Sequence, residues 1–198
     1  MKIKLTEIYA QLEEWRYERK ITPQSQKEAY IINIMEEFGE LAAALREYER
    51  FSKPSYPYPK NKKYAEHGII DALCDIAVFT INVGADINCN ERLESINTTT
   101  QTTRCNSSLS FLLSECGNFD YYGKLSSYVC FNQILLSCAK LCEQYGFNFE
   151  IAMLETIKEI SSRTGAYDEN AKKWVKDESD EAKAKWYKAD YELARIAQ

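Results

Sequence analysis

Apolar residues recur three and four positions apart along most of this chain, the spacing of helices that each bury one face. Residues 4–19 place Leu5, Ile8, Leu12 and Trp15 on one side, and Ile21, Thr22 and Pro23 break that run. Ser25, with Glu28 three residues on, has the form of a capping box. It predicts a long helix over 25–50 with Ile31, Ile34, Met35, Phe38, Leu41, Ala42 and Leu45 as its core face. Pro54, Pro57 and Pro59 make 51–63 a loop. Residues 64–84 are apolar almost all the way round, as in a helix buried on most sides.

Residues 86–108, rich in Thr and Asn, predict an insertion or long loop. Helical periodicity resumes over 109–116 and 121–145, with Gly146 as C-cap, and again over 148–163, ended by Gly165. The charged stretch 179–196 reads as a solvated helix. No run of period two has a strand's length. The expected fold is a single all-α domain: a four-helix-bundle core from 25–84 and 121–165, an inserted polar loop at about 86–108, and a C-terminal helical tail over 166–198.

Composition narrows the function. The chain has 198 residues, 45% hydrophobic and 28% charged, enough for a true core, and a formal charge of −5. That balance argues against a nucleic-acid polymer as partner. The acidic N-terminus and the lack of an apolar run of about 18 residues predict a cytoplasmic protein with no membrane contact. Seven cysteines without zinc-type spacing read as reduced thiols packed as small hydrophobes. One histidine, His67, nearly excludes zinc sites and catalytic triads; it reads as a partly exposed residue near a helix start.

Candidate chemistry lies in the acids. In the 64–84 helix, Asp71, Asp75 and Asn82 fall on one stripe within an apolar coat, and a buried carboxylate must meet something positive. A salt bridge to Lys or Arg would be the structural explanation; a bound cation is the functional one. On the 25–50 helix, Asn33, Glu37 and Glu40 form a stripe beside the core face, with Glu36 next to it. Gly39, costly in a helix by about 1 kcal/mol, suggests close approach of a backbone or ligand. Two facing helices offering carboxylates make an all-oxygen site suited to magnesium or manganese, and hence to a nucleotide di- or triphosphate.

Glu36-Glu37-x-x-Glu40, the proline-rich loop and a second acidic helix ending at Asp75 resemble the all-α nucleoside triphosphate pyrophosphohydrolase superfamily, which includes MazG-like enzymes and dimeric dUTPases. The pattern there is EExxE followed by ExxD; this chain carries Ala72 where the second glutamate is expected, with Asp71 as the substitute. The resemblance implies hydrolysis between the α- and β-phosphates to a nucleoside monophosphate and pyrophosphate. It also implies Mg2+ (or Mn2+) and a homodimer or higher homo-oligomer. Glu37, Glu40, Asp71 and Asp75 would bind metal, Glu36 and Glu37 would be catalytic, and Glu36 would either join the ligands or act as base. Residues 155–174 resemble the segment that closes over substrate, which makes Lys158, Arg163, Tyr167, Lys173 and Trp174 candidate phosphate and base contacts. Asn82, on the Asp75 stripe, is a further candidate for a base edge or sugar. The alternative from another class is a non-catalytic helical nucleotide-binding or interaction protein whose acids form structural salt bridges.

Overall fold

The computed structural model describes residues 2–3, 5–53, 59–84, 96–97, 108–121, 124–171 and 173–197. The described residues form six long helices: α1 Thr6–Glu18, α2 Pro23–Phe51, α3 Pro59–Gly84, α4 Leu109–Tyr121, α5 Lys124–Gln144 and α6 Phe149–Ser162. The all-α expectation holds. α3 is the central element and packs on α2, α5 and α6, while α1 lies across α6 and α4 across α5 and α2. Ile69, Ile70, Leu73, Ile76 and Ile81 on α3 are fully buried. By length and composition 61–84 could cross a membrane, but 72% of its most apolar window is buried inside the fold.

Several local expectations change. The cap of α2 is Thr22, whose side chain accepts from the Ser25 amide at 3.2 Å, with Pro23 in the first turn. Proline fits there because the missing N–H would have no helical partner. α3 begins at Pro59 rather than at 64 for the same reason. On α2 the buried line is Tyr30, Ile34 and Leu41, whereas Ile31 and Met35 are exposed, rotating the core face away from the expected one. A Cβ on Gly39 would meet nothing within 4 Å, so among the described residues no backbone approaches it. Gly146 ends α5 with φ +82°, the left-handed conformation a C-cap requires. The polar insertion falls outside the described residues except Ser108 and the strand β2 Ile96–Asn97, which pairs antiparallel with β1 Lys2–Ile3.

The tail departs most. Among its described residues only Asp180–Lys183 is α-helical, followed by a 3-10 turn at Tyr191–Ala194. Between α6 and that tail lies an antiparallel hairpin, β3 Gly165–Asp168 with β4 Lys173–Lys176, pairing Gly165 with Lys176 and Tyr167 with Trp174. The tail docks rather than waving in solvent. The Asn148 amide donates to the Ala194 carbonyl at 2.6 Å, and the Ile196 amide to the Gly146 carbonyl at 2.8 Å. Cys74, Cys116, Cys130, Cys138 and Cys142 are buried.

Candidate functional site

α2 and α3 run antiparallel side by side, so a stripe on each faces the other. Gln26, Asn33, Glu37 and Glu40 repeat at seven, four and three residues and therefore share one line of α2. Together with Glu36 from α2 and Asp71, Asp75, Val78 and Phe79 from α3, they line a cleft of about 500 Å³. The far side is closed by Trp15 and Arg19 of α1, by Ile160 and Arg163 at the end of α6, and by Trp174 and Lys176 of the hairpin. The acids gather at one end, and the amides of Gln26 and Asn33 lie toward Phe79 at the other, because the two helices advance in opposite directions.

No hydrogen bond or ion pair from a described residue reaches Glu36, Glu37, Glu40 or Asp75. Glu37 Oε2 is buried without a hydrogen-bond partner among the described residues. Burial first, then Glu40, Asp71 and Glu36, push the Glu37 carboxyl up from 4.5 to about 7, with Arg163 opposing. Burial, then Asp71 and Glu37, push Asp75 well above the carboxylate range. Asp71 is also raised, chiefly by burial, against a hydrogen bond from Tyr191 Oη at 2.5 Å that favours its charged form. Neither aspartate has, among the described residues, the Lys or Arg salt bridge that would have explained it structurally.

As the side chains stand, no three carboxylate, histidine or cysteine groups among the described residues converge closely enough to hold a metal ion. The donor set nonetheless suits a hard cation: it is all oxygen, it includes an unpartnered buried oxygen on Glu37, and the groups repel one another. Magnesium keeps several waters and shares phosphate oxygens, so it asks for one or two carboxylates and open space rather than a closed cage.

The cationic wall is built by α1 and α6. Arg19, 5% exposed, donates to the carbonyls of Ser161 at 2.8 Å and Arg163 at 3.2 Å, satisfying the open end of α6. Its guanidinium lies 5.4 Å from the Trp15 ring and 5.3 Å from the Trp174 ring. Arg163 is held by Glu159, one turn back, at 3.1 Å, and its Nε is buried without a partner among the described residues. In the hairpin, Trp174 and Lys176 share the face that looks into the cleft.

The remaining candidates lie elsewhere. Lys173 is on the other face of β4, exposed, and does not line the cleft. Tyr167 stands outside it beneath the Lys20 ammonium, 4.7 Å from the ring. Lys158 is on the outer side of α6, paired with Glu155. Asn82 shares the stripe of Asp75 but sits two turns, about 10 Å, further on, where α1 covers it. It is fully buried, accepts from Arg16 Nη1 at 2.7 Å and donates to Gln26 Oε1 at 3.5 Å, so it reaches the cleft only through Gln26. His67 pairs with Glu192 of the tail at 2.7 Å.

Sequence reasoning missed Gln26, Trp15, Arg19, Lys176, Glu159 and Tyr191. Gln26 had a signal, lying seven residues before Asn33 on the same stripe. Lys176 and Trp174 would have been paired by two-residue spacing had a strand been expected there.

These shifts carry a pH dependence. A carboxyl with a raised folded-state pKa favours the fold while protonated in both states, and that contribution is lost as pH climbs through the folded value. For Glu37 the window runs from 4.5 to about 7. Metal-free protein is expected to lose about 1–3 kcal/mol of stability across it, after allowance for solvent screening, with Asp71 and Asp75 acting in the same direction. Urea titrations in EDTA at pH 5 and pH 8 check this, and stability that rises with pH would contradict it. The chain matches no protein-family model, no curated protein and no solved structure.

Proposed function

We propose that this chain is a magnesium- or manganese-dependent nucleoside triphosphate pyrophosphohydrolase. The observation that carries the reading is the set of five carboxylates that α2 and α3 turn into one cleft, none with a cationic ion-pair partner among the described residues, facing a wall with Arg163 and Lys176. The resemblance of Glu36-Glu37-x-x-Glu40 and Asp75 to the all-α pyrophosphohydrolases supports the same chemistry. Glu37, Glu40, Asp71 and Asp75 would hold the divalent cation, which when bound neutralises the polyphosphate and lowers the pKa of water.

The chain's own groups do the rest. Arg163 and Lys176 bind phosphate oxygens opposite the acids, with charge-assisted hydrogen bonds. The nucleoside lies toward Phe79, Asn33 and Gln26, where a ring and two amides meet it. Water forms a bond to the α-phosphorus as the bond to the bridging oxygen breaks. Pyrophosphate leaves with that electron pair, and Glu36 takes the water's proton. Alignment and charge compensation supply the rate, so no activated side-chain nucleophile is needed. Ile32 and Met35, 58% and 63% exposed on α2, support a second copy packing there.

The test is a panel of ribo- and deoxynucleoside triphosphates, with and without Mg2+, followed by pyrophosphate release and identification of the nucleotide product. Magnesium-dependent formation of a monophosphate and pyrophosphate is expected. Release of orthophosphate, or no turnover with any nucleotide, would remove the proposal. The non-catalytic reading draws on one observation, that the acids do not converge into a coordination cage as they stand. It expects nucleotide binding with no product.

A further inference from the structure

We infer that Tyr191 is a positioning residue for Asp71: from the end of the chain its hydroxyl fixes one carboxylate oxygen and leaves the other to face the cleft. This rests on the metal-binding reading above and adds to it a tail residue that touches neither cation nor nucleotide. Tyr191 is 4% exposed, and its Oη lies 2.5 Å from Asp71 Oδ1 and 2.9 Å from Thr156 Oγ1. An ionised Asp71 can only accept, so the tyrosine's single proton is committed to it. Thr156 Oγ1, whose one proton is shared between the Ala152 carbonyl at 3.1 Å and the tyrosine oxygen, meets that oxygen from the other side.

The ring is fixed on both flanks. Before it, the Ala189 amide donates to Glu159 Oε2 at 2.9 Å and the Asp190 amide to Glu155 Oε2 at 3.1 Å. After it, Glu192 meets His67, and Arg195 bonds Glu66 at 2.9 Å while lying 4.3 Å from the Phe147 ring. A hydroxyl in such a setting cannot follow Asp71 if the carboxylate rotates; it dictates the rotamer. The choice of donor matters as well. A lysine or arginine at this place would cancel the charge of Asp71, whereas a phenol satisfies one oxygen and leaves the negative charge for a cation. Partners that orient a ligand from behind typically change metal affinity by about 10–100-fold when removed.

The experiment compares full-length wild type with Tyr191→Phe, which keeps the ring and deletes the donor. Mn2+ affinity is measured by calorimetry without nucleotide, thermal midpoint in EDTA, and nucleotide hydrolysis against Mg2+ concentration. Expected for Y191F are an Mn2+ Kd weakened about 10-fold and a half-saturating Mg2+ raised by a similar factor. At saturating metal, kcat and nucleotide KM should stay within about threefold. Thr156→Val, which frees the tyrosine oxygen on its other side, should shift Mn2+ affinity the same way by about 2–5-fold and serves if Y191F does not fold. A lowered thermal midpoint with unchanged Mn2+ affinity would make Tyr191 a packing residue and overturn the inference alone. Wild type that binds no Mn2+ would overturn the metal-binding reading and this inference with it.

Discussion

Replacing Asp75 with Asn is expected to move stability and activity in opposite directions. The metal-free protein should gain about 1–2 kcal/mol at pH 8, and nucleotide hydrolysis should fall at least about 10³-fold. Asp75 has no hydrogen-bond or ion-pair partner among the described residues, is raised by burial, and is repelled by Asp71 and Glu37. An amide of the same shape removes the charge and keeps the volume. If Asp75 instead anchored the bundle through a buried ion pair, the same change would cost about 3–5 kcal/mol. Urea denaturation in EDTA, run beside the pyrophosphate assay, separates these outcomes. A destabilised Asp75→Asn protein with intact turnover would contradict both halves of the expectation.

Arg19→Ala is expected to be the most damaging of the single changes to the cleft wall, at about 3–4 kcal/mol. The guanidinium satisfies carbonyls at the end of α6 and fills the gap between two indoles, so truncation leaves buried acceptors unpaired and a cavity beside them. Arg19→Lys restores charge without the planar fork and should recover only part of the loss, about 1 kcal/mol. Trp174 rests on Arg19, so near-ultraviolet dichroism from tryptophan should weaken in step with the urea midpoint. A change below about 1 kcal/mol for Arg19→Ala would mean that the stack contributes little.

The contrast between these two residues shows what was legible in the chain. Glu37, Glu40, Asp71 and Asp75 stood out because periodicity turns a line of acids toward an apolar face, and periodicity is local. Arg16 and Arg19 carry no local sign of burial, yet both are buried, because their partners Asn82 and the α6 carbonyls come from far along the chain. Asn82 does not line the cleft itself for the same reason: its angle around α3 was right, but what covers that part of the helix is α1. The hairpin escaped because each strand has four residues and neither alternates cleanly between buried and exposed. In 179–196 the charge pattern suited a helix, but Tyr191 and Ala194 are buried anchors and the backbone bends to place them.

The tyrosine that meets Asp71 follows it by 120 residues. During synthesis, therefore, every acid of the cleft has left the ribosome well before the phenol that orients one of them exists. Until the turn at Tyr191–Ala194 is laid down against α3 and α6, a nascent chain carries the five acids with Asp71 unaligned. Alignment of Asp71 would thus wait on a segment made long after the acids it serves.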